Sequence, residues 1–168
     1  INKLHQSTKR DYVGRVIEFD KAACAEVAIQ YGKEYWDGER QYGYGGYHYD
    51  GRWRPIAEAM AQHYGLKPGD KILDVGCGKA YLLYEMKLLL PGLKVVGFDI
   101  SKHGLADAKE EIRDSLFIHQ AQGPYSFENN EFDLVMTIGC FHNPKIFELK
   151  TALAEIQRVG THGYIMLE

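Results

Sequence analysis

The sequence predicts an α/β fold, a three-layer, doubly wound domain on a mostly parallel sheet, and three observations predict it. The run Ile72 to Val75 ends in Gly76 and Gly78, then gives way to Leu82, Leu83, Met86, Leu89 and Leu90 at helical spacing. That reads as a buried strand, a tight glycine turn and a helix. A second run, Val95 to Phe98, closes on an acid, Asp99, 21 residues beyond Gly78. A third, Phe132 to Ile138, is apolar for long enough to be a central parallel strand.

Composition bounds the rest. With 168 residues and 45% of them hydrophobic, the chain can bury one sizeable core. No run of about 18 apolar residues is present, so no membrane-spanning helix is expected. The opening Ile1-Asn2-Lys3-Leu4-His5-Gln6 lacks the apolar block of a secretory signal. Cys24, Cys77 and Cys140 are odd in number and without C-x-x-C spacing. This argues against a disulfide framework or a metal site and suits a reducing cytoplasm. A formal net charge of −3 gives no general attraction to nucleic acid.

Taken in order, residues 1–19 are polar and basic and read as a solvated arm. Asp20 can cap a helix running to Tyr31 with Ala22, Ala23, Val27 and Ala28 on one side. From Tyr35 to Trp53 tyrosines, tryptophans and glycines interleave. Glycine here implies a loop, and the rings supply contact area for a flat or amphipathic ligand. A closing lid, a surface loop whose rings pack on the protein and a stacking platform for nucleic acid are the readings this segment leaves open. Trp53 to Tyr64 reads as a helix with Ile56, Ala57, Met60 and Ala61 inward, stopped by Gly65. Ser101 can cap a helix through Arg113, Ser115 to His119 a strand, Pro144 to Arg158 a helix, and Thr161 to Leu167 a fifth strand.

The dinucleotide fingerprint G-x-G-x-x-G fails at Tyr81; what stands is Asp-x-Gly-x-Gly-x-Ala, Asp74 to Ala80. With the strand-end acid Asp99 and Phe132-Asp133-Leu134-Val135, this resembles the class I S-adenosylmethionine-dependent methyltransferases, from about Lys71 to Glu168. The resemblance implies S-adenosyl-L-methionine as cofactor and S-adenosyl-L-homocysteine as product. Asp74, Gly76, Cys77 and Gly78 then form the turn, Asp99 and Ile100 meet the ribose and its surroundings, and Ile138 ends the fourth strand beside the cofactor. The family usually places an aspartate after the third strand for the adenine amino group. This chain offers Gln120, Ala121 and Gln122 there instead, and a glutamine oxygen can accept the same bond. Arg52 or Arg54 could meet the cofactor carboxylate, with surface arginines the alternative. Residues 1–52 are expected as a helical, aromatic and glycine-rich lid, and 53–168 as a Rossmann-like core, one structural domain overall. Two further C-terminal strands are expected of the family, so the sequence reads as truncated.

Methyl transfer asks for an acceptor held in line with water excluded, and positioning alone can supply much of the rate. The expected activity is direct transfer to a small-molecule acceptor without a metal. If the acceptor must lose a proton, His142 after the fourth strand is the candidate base, with Tyr44 and His48 behind it. A cofactor-binding subunit without catalysis and a nicotinamide-dependent oxidoreductase are the alternatives. The acceptor itself and the oligomeric state are not written in the sequence.

Overall fold

The computed structural model describes Gly14, residues 19–141 and residues 145–166. By its internal contacts the chain divides into two compact units, one ending at Arg52 and one beginning at Trp53.

In the first unit, Asp20 caps α1 (Lys21–Ala28), its carboxylate accepting from the N–H groups of Ala22 and Ala23 at 2.9 and 3.3 Å. The helix stops at Ala28, short of the expected Tyr31, which instead takes a left-handed backbone with φ 47°. An alanine-rich face offers little apolar area, and α1 buries no residue. Helix α2 (Lys33–Asp37) follows and buries Trp36.

The second unit opens with α3 (Arg54–Tyr64), whose buried residues are Ile56, Ala57, Met60 and Ala61. Their i, i+1, i+4, i+5 spacing makes one stripe, and Gly65 ends the helix in the left-handed conformation. The rest alternates strand and helix: β1 (Lys71–Val75), α4 (Tyr81–Leu89), β2 (Lys94–Asp99), α5 (Lys102–Ala106), α6 (Glu110–Arg113), β3 (Leu116–Ile118), β4 (Leu134–Ile138), α7 (Ile146–Val159) and β5 (Gly163–Met166). All five strands are parallel, in the order β3-β2-β1-β4-β5. Chain order reverses between β1 and β4, and in such sheets the strand ends at that switch point carry the ligand.

Alternate residues of each strand face opposite layers. Leu73, Val75, Phe98 and Val135 cluster with Ala152, Ile156 and Val159 of α7. On the other face, Gly97 of β2 lets α4 approach: a Cβ there would stand 2.7 Å from a methyl of Leu83 and 2.8 Å from Leu116. Asp133 proves structural. Its carboxylate accepts from the Lys71 N–H and its own N–H donates to the Lys71 carbonyl, both at 2.8 Å, which locks β1 to the segment before β4.

One expected helix is broken. Ser101 does cap its start, Oγ accepting from the Gly104 N–H at 2.9 Å, but the stretch to Arg113 forms α5 and α6 with Asp107 ending the first. A glycine weakens the short α5, and the Asp107 side chain is drawn sideways to Lys79 at 2.7 Å. Leu105, Ala108 and Ile112 stay buried across the break.

Candidate functional site

The turn after β1 is made by backbone. Gly76, Gly78 and Ala80 take φ of 75°, 58° and 54°. At Gly76 glycine answers to packing as well as conformation, because a Cβ would lie 2.5 Å from the Cys140 sulfur. Ala80 accepts a left-handed strain that the sequence pattern did not flag, and no side chain caps α4 behind it.

Asp99 ends the neighbouring strand, and its carboxylate bridges the two elements. Oδ2 accepts from the Gly78 N–H at 2.8 Å and Oδ1 from the Ser101 N–H at 2.7 Å. Burial pushes its pKa up, and these backbone donors, with that of Ile100, pull against the rise. Asp74, buried at the end of β1, is pushed up to about 8, first by burial and second by the negative charge of Asp99. Two carboxyls therefore stand at adjacent strand ends beside one glycine turn, and the charge acting on Asp74 repels it. Such a place favours a ligand that carries positive charge.

The thiols there are held toward the protonated form. Burial holds Cys140 at about 12 and Cys77 well above its ordinary value, with Asp74 and Asp99 adding to both. Ile100, 48% exposed, lies directly after Asp99 as an apolar surface. Gln120 is exposed, Gln122 is half-buried and Ala121 is buried, in a loop with no regular structure. That loop is nevertheless tied down. The Tyr125 hydroxyl donates to the Ala121 carbonyl at 2.7 Å, and Arg158 of α7 donates to the carbonyls of Tyr125 and Phe127 at 2.8 and 2.7 Å. Glu155 accepts from the Tyr125 N–H at 2.6 Å and pairs with Arg158 at 2.8 Å. Ile138 ends β4, next to Gly139 at φ 66°.

His142 lies outside the described residues. Tyr44 and His48 belong to the first unit, both exposed. Tyr44 stacks on Trp36 with ring centroids 5.0 Å apart and an interplanar angle of 3°. Arg52 and Arg54 are engaged at the surface, Arg52 with Asp50 at 2.6 Å and Arg54 with Glu58 at 3.0 Å and Glu85 at 3.6 Å. Lys79, Asp107 and Arg158 are the residues of this region that sequence reasoning missed. Each acts on a partner remote in sequence, and only the position of Lys79 inside the glycine turn could have drawn attention. Among the described residues no cluster of His, Cys, Asp and Glu could hold a metal, and no helix is long and apolar enough to cross a membrane.

Comparison with known proteins agrees with this geometry. A family model described as a methyltransferase domain matches residues 66–168. An uncharacterized methyltransferase of Synechocystis sp. is 30% identical over 100 residues, covering 60% of this chain and 46% of that protein. A sterol 24-C-methyltransferase of Gibberella zeae is 32% identical over 112 residues, covering 63% of this chain and 29% of that protein. The chain thus spans less than half the length of either relative. A solved structure of a candidate S-adenosyl-L-methionine-dependent methyltransferase from Methanococcus maripaludis shares the fold, with TM-score 0.57, 24% identity, 67% of this chain and 54% of that one covered. A parallel sheet switching at β1, a glycine turn and a strand-end acid, together with a family match over most of the second unit, place this chain in the class I methyltransferase family.

Proposed function

We propose that the protein binds S-adenosyl-L-methionine at the C-terminal ends of β1, β2 and β4 and transfers its methyl group directly to a small-molecule acceptor. The observation that carries this reading is the Asp99 carboxylate held at 2.8 Å from the Gly78 N–H, which joins the glycine turn to an acid one strand away. Gly76, Cys77 and Gly78 offer backbone to the amino-acid end of the ligand, with Asp74 beside them. Asp99 keeps acceptor capacity for the ribose beside its Gly78, Ser101 and Ile100 donors, since a carboxylate offers about four lone-pair positions. Ile100 lies where an apolar ring face can rest, and Gln120, Ala121 and Gln122 offer the amide and backbone groups that an adenine edge requires. Ile138 contributes to the wall at β4.

When bound, the cofactor supplies an electrophilic methyl on a sulfonium. The chain's part is to hold that cation near Asp74 and Asp99, to keep water out, and to fix the acceptor in line. His142, Tyr44 and His48 remain the candidates for taking a proton from the acceptor. The relative in Gibberella zeae is named for a sterol, a small molecule, which supports an acceptor of that size class.

Calorimetry with S-adenosyl-L-methionine, S-adenosyl-L-homocysteine and NAD tests the reading. The first two should bind and NAD should not. Binding of NAD alone would transfer the site to an oxidoreductase, and binding of the cofactor with no turnover on any acceptor would leave a non-catalytic subunit.

A further inference from the structure

The Lys79–Asp107 ion pair serves no step of the proposed reaction, yet it sits inside the site's own turn. The Lys79 side chain is 0% exposed, while its partner Asp107 is 51% exposed, with Nζ to Oδ2 at 2.7 Å. A buried ammonium loses hydration and the rotamer freedom of a long stem, so packing alone gives no reason for a lysine there.

What it joins gives a reason. Lys79 directly follows Gly78, whose N–H reaches Asp99 Oδ2. Asp107 ends α5, the helix whose first cap, Ser101, sends its N–H to Asp99 Oδ1. The two oxygens of one carboxylate are therefore held by two separate segments, the glycine turn and α5, and the ion pair ties those same segments together. The path closes on itself: Asp99, Gly78, Lys79, Asp107, α5, Ser101 and back to Asp99.

We propose that Lys79 and Asp107 are positioning residues that hold the Asp99 carboxylate at the angle the ribose hydroxyls need. The pair touches no ligand; it acts by fixing the spacing of the two N–H groups that set the carboxylate plane. Its effect on binding rests on the cofactor reading above, so the test needs an arm that does not.

Asp107→Asn is the variant to make, because the exposed partner can change without opening the core, and Asp107→Glu is the conservative control. By calorimetry, Asp107→Asn should bind S-adenosyl-L-homocysteine about tenfold more weakly. The 2′,3′-dideoxy analogue, which cannot use Asp99, should bind the variant and the natural protein alike, and Asp107→Glu should recover most of the loss. Equal loss for both ligands would mean a merely structural role and overturn the proposal. Hydrogen exchange read by NMR on the ligand-free protein is the independent arm. Protection of the Gly78 and Ser101 amides should fall in Asp107→Asn while that of the β1 and β4 ladder amides stays. Should the natural protein bind neither ligand, the cofactor reading fails and exchange alone decides the clamp; unchanged protection at Gly78 and Ser101 would then overturn it.

Discussion

The glycine turn after β1 and the aromatic segment between Trp36 and Tyr47 both depend on glycine, for opposite ends. At Gly76 the missing side chain makes room for a residue of another strand's end, Cys140, remote in sequence. At Gly43 it makes room for the segment itself: a Cβ there would lie 2.3 Å from the Tyr35 carbonyl oxygen and 2.7 Å from the Tyr35 ring. One region is assembled by tertiary packing and leaves backbone facing a ligand. The other is a local cluster in which Tyr35, Trp36, Tyr44 and Tyr47 cover one another, with centroids 4.9 to 5.8 Å apart. The Trp36 indole N–H is satisfied inside it as well, donating to the Tyr31 carbonyl at 3.2 Å. Rings spent on each other support the reading of a self-packed surface segment more than that of an open stacking platform.

Breaking the first region should have the largest effect. Gly76→Ala adds a left-handed backbone penalty of about 1–2 kcal/mol and a steric one of about 1–3 kcal/mol against Cys140. Denaturant unfolding should show a loss of about 3 kcal/mol, with cofactor binding abolished. The double variant with Cys140→Gly should recover the steric part only; full recovery would mean that the backbone angle is unimportant. Breaking the second region should be local. Trp36→Ala should cost about 3 kcal/mol within the first unit, seen as a protease cut between Tyr35 and Trp53; a segment that stays uncut would mean that the ring cluster does not hold it.

A third variant sharpens the contrast between tertiary and local assembly within the second unit. Arg158→Lys keeps the charge but loses the planar fork that reaches the Tyr125 and Phe127 carbonyls together. The Gln120–Glu131 loop should exchange its amides faster, and the protein should melt a few degrees lower. If exchange in the loop is unaltered, the Arg158 bonds do not restrain it and the loop is held through Tyr125 and Glu155.

What could be read in the sequence followed the range of each interaction. The face of α3, the caps at Asp20 and Ser101 and the strand runs are set by neighbours within a turn, so their period shows in one dimension. The turn and Asp99 were legible because glycine and an acid at strand ends are scarce enough to mark a place. Lys79 with Asp107, and Arg158 with a loop 31 to 33 residues away, are pairings that the folded sheet selects among many possible partners. No spacing announces them. The aromatic segment was ambiguous for another reason: composition counts rings but does not say whether they face a ligand or each other.

The last contrast concerns charge, where the two units again diverge. Asp50, exposed beside Arg52, is held below the ordinary carboxylate value by hydrogen bonds from that guanidinium. Asp74, the same residue type, is raised from 3.8 to about 8. A carboxyl whose folded pKa is raised binds more protons when folded than when unfolded between those values. Stability from Asp74 is thus complete below about pH 4 and is lost as pH rises toward 8, at no more than about 1.4 kcal/mol per pH unit for one proton. Asp50 has the opposite sign, its contribution being present above its unfolded pKa and lost on acidification. Asp74→Asn is expected to melt with the natural protein at acidic pH and increasingly above it as pH climbs to 8. A cationic ligand placed beside Asp74 favours the ionised form, so affinity for S-adenosyl-L-methionine should rise with pH over the same window. The Asn variant provides the baseline, because the ligand's own amino group titrates equally with both proteins. A melting difference independent of pH would mean that Asp74 is ionised throughout, and that the turn already holds a positive partner for it.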